Sequence, residues 1–67
     1  MSQEEKLWFN HSQMIANIMS ARMKELGMTQ KMLAEKMNCT QQYISKILKG
    51  RENLSLEAIS KIENALD

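Results

Sequence analysis

The stretch Thr29–Gly50, TQKMLAEKMNCTQQYISKILKG, decides the fold of this 67-residue chain. It reads as two short helices, Gln30–Met37 and Gln41–Lys49, hinged by a tight turn. Thr29 and Thr40 stand where a side-chain oxygen caps a helix start, because the first amides of a helix have no partner inside it. Asn38 and Gly50 stand where each helix ends, and both residue types enter the left-handed conformation readily. The second helix opens with Gln41, Gln42 and Tyr43 and carries Lys46 and Lys49. Amide and ammonium groups in that order suit base edges and phosphates, so the segment points to nucleic acid.

Working outward, Ile15, Met19, Met23 and Leu26 recur at three- and four-residue steps and predict a preceding helix that Gly27 ends. It starts at about Ser12 or further upstream. Asn10 is an alternative cap, with Phe9 and Met14 as a hydrophobic staple. Within the motif, Leu33, Ala34 and Met37 turn inward, and Ala34 supplies the small side chain needed where two helices cross near a right angle. Ile44 and Ile47 bury the next helix. A last helix follows, with Ser55 as N-cap, Glu57 near the positive end of the dipole, and Leu56, Ile59, Ile62 and Leu66 closing the core. The expected organisation is an N-terminal extension at 1–11 and one domain at 12–67. Leu7, Trp8 and Phe9 of the extension are expected to fold back over the small core; the alternative is that some of these apolar side chains form a dimer or partner surface.

Proline is absent and glycine occurs only at 27 and 50, which favours an all-α fold. A chain of this length buries only about 60% of its unfolded surface, leaving little room for a deep catalytic pocket. Cys39 is the sole cysteine, so no internal disulfide forms; with no secretory segment read in MSQEEKLWFN, a cytoplasmic location is expected. The net charge of +1 hides an asymmetry. Between Thr29 and Arg51, Lys31, Lys36, Lys46, Lys49 and Arg51 stand against Glu35 alone, a balance of +4, so the remainder carries −3.

The order Gln30, Ala34, a turn residue at 38, Ile44 and Ile47, followed by LKGRENLSLEAISKIENAL, resembles the phage-repressor, or Cro/Xre-like, helix-turn-helix family. The resemblance covers about Ile15–Leu66. The run Thr40–Gln41–Gln42 is similar to the start of the recognition helix in some lambdoid repressors, and ISKILKGRENLSLEAISKIENAL is similar to the DNA-binding half of HigA-type antitoxins. The fold implied is a compact lambda-repressor-like domain of four helices, or five if the N-terminal segment forms one of its own.

The resemblance implies a third helix lying in the major groove of double-stranded DNA. Gln41 and Gln42 then read bases, since a glutamine amide matches the N6 donor and N7 acceptor of adenine. Lys46, one turn beyond Gln42, reaches guanine or a phosphate, and Tyr43 packs against the groove wall or a thymine methyl. Gln30, Thr40, Lys31, Lys49, Arg51 and Asn53 are the expected phosphate contacts, which position the protein without reading sequence. Asn38 departs from the family's usual glycine and Leu54 from a frequent proline, while Cys39 takes the place of a buried valine.

The implied role is a transcriptional regulator, a repressor above all, that binds a palindromic operator as a homodimer. An antitoxin with a toxin protein as second partner is one alternative, and a helical protein-interaction module without DNA binding is another. His11, the sole histidine, has no cysteine or carboxylate at metal-ligand spacing, and no glycine loop cradles phosphate, so neither enzyme activity nor a metal or cofactor is expected. No segment is apolar enough for a membrane partner.

Overall fold

Serine and threonine set every helix start in the computed structural model, which describes residues 2–67. Helices α1 (Gln3–Leu26), α2 (Gln30–Met37), α3 (Gln41–Leu48) and α4 (Leu56–Leu66) follow one another without strands among the described residues. The caps are Ser2, Thr29, Thr40 and Ser55, each accepting a backbone N–H three residues on at 3.1–3.2 Å. Each satisfies one of the amides that a helix start leaves unpaired, a contribution of about 1 kcal/mol.

The helix ends follow the same local chemistry. Asn38 adopts φ 56°, and the next amide, of Cys39, donates back to the Ala34 carbonyl at 2.9 Å. Gly27 ends α1 in the same way, with Met28 donating to Met23 at 2.9 Å. After α3, Lys49 is the cap and Gly50 takes φ 74°. A Cβ at Gly50 would sit 3.2 Å from the Gln13 backbone of α1, so this glycine answers both to conformation and to a close approach.

Met19, Leu33, Ile44 and Ile47 are fully buried, one or two from each of α1, α2 and α3. Met23, Ala34, Ile62, Ala65 and Leu66 complete the core, Ala34 being buried as expected. Burying each larger aliphatic side chain contributes about 1.5–3 kcal/mol. Two polar fastenings supplement them. The Arg22 guanidinium donates to the Leu66 carbonyl at 2.8 Å, tying α1 to the end of α4, and the buried Ser12 hydroxyl donates to the Glu52 carbonyl in the α3–α4 loop.

Several expectations give way. The helix begins at Gln3, further upstream than Ser12, and passes position 10 unbroken, so Asn10 is not a cap and no separate fifth helix forms. Met1 of the expected extension lies outside the described residues. The rest of the extension continues α1 rather than folding back: Leu7 is exposed, while Trp8 and Phe9 are half-buried and meet edge to face with centroids 6.1 Å apart. The signal was in the sequence as Ser2-x-x-Glu5, the capping-box pattern; in the structure the Ser2 hydroxyl accepts from the Glu5 amide and itself donates to the Glu5 carboxylate at 3.1 Å. Ser12, Ala16, Met19 and Met23 form the buried stripe, with Ile15 half-buried and Leu26 exposed at the helix end. Leu56 is 83% exposed. Two successive three-residue steps back from Ile62 rotate it away from the core, because each falls short of a full turn.

Candidate nucleic-acid interface

The turn between α2 and α3 is built so that α3 has a fixed inner and a fixed outer side. Ile44 and Ile47 anchor the inner side in the core. Gln42 and Lys46 stand one turn apart on the opposite side, and both are exposed, as is Gln41 in the first turn. Thr40 spends its hydroxyl oxygen on the Tyr43 amide at 3.1 Å, so its cap role accounts for it.

Lys31, Lys36, Lys46, Lys49 and Arg51 are all exposed. Among the described residues the ion pairs are Arg22–Glu25 and Lys61–Glu57, so no basic side chain of the motif is held by a carboxylate. The positive charge of α2, α3 and the following loop is open to an anionic ligand. Asn53 is exposed beside Arg51 in the loop that Ser12 fastens through Glu52. Gln30 is half-buried at the first position of α2, where free amides and the helix dipole favour a phosphate.

Tyr43 stands apart from this group. It is half-buried and packs on the core, lining a cleft of about 320 Å³ with Met37, Cys39, Ala58 and Lys61. Its place on the flank of α3, three residues before Lys46, lets it meet the start of α4 while staying next to the Gln42–Lys46 side. Cys39 is likewise half-buried against the core. Lys49 lies at the other end of α3, beside Gln13 and Asn17 of α1 in a polar cleft of about 170 Å³. Sequence reading gave Gln13 and Asn17 no part; their spacing of four on one side of α1 was the only signal, and nothing local ties it to α3.

A short helix capped at both ends, set by a tight turn across a second one and presenting amides and unpaired cations outward, defines a DNA-binding helix-turn-helix domain. Residues 18–67 match the family model described as Helix-turn-helix, and the chain belongs to that family, the Cro/C1-type helix-turn-helix of DNA-binding transcription regulators. No curated protein and no solved structure matches the chain. No described helix is long and apolar enough to cross a membrane.

Proposed function

We propose that this domain reads a specific double-stranded operator and represses the gene beside it. The observation that carries the reading is the outer side of α3, where Gln42 and Lys46 are exposed opposite the buried Ile44 and Ile47. Gln41 and Gln42 pair with adenine edges, and Lys46 reaches guanine or a phosphate. Gln30, Lys31, Lys49, Arg51 and Asn53 hold the sugar–phosphate backbone, Thr40 acts first as a cap and touches the backbone only secondarily, and Tyr43 packs on the core while its outer edge meets the groove wall or a thymine methyl. Two copies bind a two-fold symmetric site whose half-sites lie about 34–36 Å apart.

The test is selection from a randomised duplex pool at two salt concentrations. A common retained sequence, with affinity that falls steeply as salt rises, supports the reading. A retained pool as random as the input overturns it. An antitoxin role has one observation in its favour, an exposed apolar side of α1, and the measurement closing the next subsection decides whether a copy of this chain occupies that side.

A further inference from the structure

Helix α1 has a second pattern on the side away from the core. Leu7, His11, Met14, Ile18 and Ala21 recur at alternating steps of four and three, the spacing of a coiled-coil seam, and all are exposed. Leu7, Met14 and Ile18 are 63%, 57% and 60% exposed, unusual for three large apolar side chains aligned on one helix. Alongside Ile18 runs an apolar groove of about 320 Å³ between α1 and α4, walled by Ile15, Ile59 and Ile62 with Arg22 at its rim.

We propose that this seam and groove take a second copy of the chain, with the two α1 helices antiparallel. This names the surface for the pairing proposed above, and its test needs no DNA. The seam is complementary to itself. With Leu7 of one copy level with Ile18 of the other, His11 falls level with Met14, Glu4 with Ala21, and every pairing recurs through the two-fold axis, as a closed dimer requires. That register puts Trp8 of each copy at the level of residue 17 of the other, on the side where Ile15, Ile18 and Arg22 border the groove. Trp8 is half-buried within its own chain. An aromatic seated in an apolar pocket at the centre of a patch is the usual anchor of an interface.

Charge selects the orientation. Glu4, Glu5 and Lys6 give the start of α1 a net charge of −1, and Arg22, Lys24 and Glu25 give its end +1. Parallel pairing would oppose like ends, whereas antiparallel pairing opposes unlike ones.

Sedimentation equilibrium of the full chain, from micromolar to sub-millimolar, tests this with helix content followed by circular dichroism. The wild type is expected at twice its 7.8 kDa chain mass, and Ile18→Lys and Leu7→Glu each at one chain mass with unchanged helix content. Mixing the two variants is expected to restore the double mass, because the lysine at 18 then faces the glutamate at 7. Trp8 emission should shift to the blue only in samples that pair. A wild type that stays at single mass overturns the proposal and leaves the seam to a different protein. Variants that pair as the wild type does, or a mixture that does not pair, overturn it as well. None of these outcomes bears on Gln42 or on operator selection.

Discussion

Helices α1 and α3 each bury one side in the same core and leave the other side open, but the open sides differ in kind. That of α3 carries amides and ammonium groups, whereas that of α1 carries Leu7, Met14 and Ile18. Amides find their match in groups that donate and accept at fixed spacing, as base edges do. An aliphatic row finds its match only in another apolar surface withdrawn from water. The core positions both helices; the chemistry facing away from it assigns their partners.

Shortening Ile44 to alanine should cut deepest. It removes packing that fixes α3 and cements α1 to it, so stability should fall by about 2–5 kcal/mol in thermal or denaturant unfolding. Both outer sides should fail together. Gln42→Ala should separate them, weakening a selected operator by about 1–3 kcal/mol and relaxing preference at one base pair, with melting temperature and sedimentation unchanged. Equal weakening of all duplexes would move Gln42 from reader to anchor. Gly50→Ala should cost upward of about 1 kcal/mol of stability, since φ 74° and the nearby Gln13 backbone both resist a methyl group. Arg51→Ala should weaken every duplex alike and lower the salt slope by about one, read from titrations across salt. Leu56→Ser should do least: 83% exposed and outside the seam, it should change stability by no more than about 0.5 kcal/mol.

Local chemistry was legible in the chain. Thr29, Asn38, Thr40 and Ser55 act within three or four residues of themselves, and each stands in the structure as its type requires. The outer side of α3 could be read because Ile44 and Ile47 fix the inner one. What escaped depends on rotation and on neighbours distant in sequence. Leu56 belongs to an apolar list but not to an apolar side, and Tyr43 is set by the start of α4, which no spacing within α3 reveals. The capping-box pattern at Ser2 was missed because Leu7, Trp8 and Phe9 drew the segment toward the core, when their helix keeps Leu7 outside it.

Ser12 is the one buried polar side chain among the described residues, and its hydroxyl grips the carbonyl of Glu52 between Arg51 and Asn53. The loop is therefore shaped when the chain folds, not when it meets a ligand. Setting the loop backbone in advance removes that part of the ordering cost of binding, while the exposed Arg51 and Asn53 side chains keep theirs, about 0.5–1.5 kcal/mol for each long side chain immobilised. On the proposed reading, in which Arg51 and Asn53 hold the sugar–phosphate backbone, encounter with a duplex becomes the docking of a loop backbone already set, its rate governed by charge and orientation.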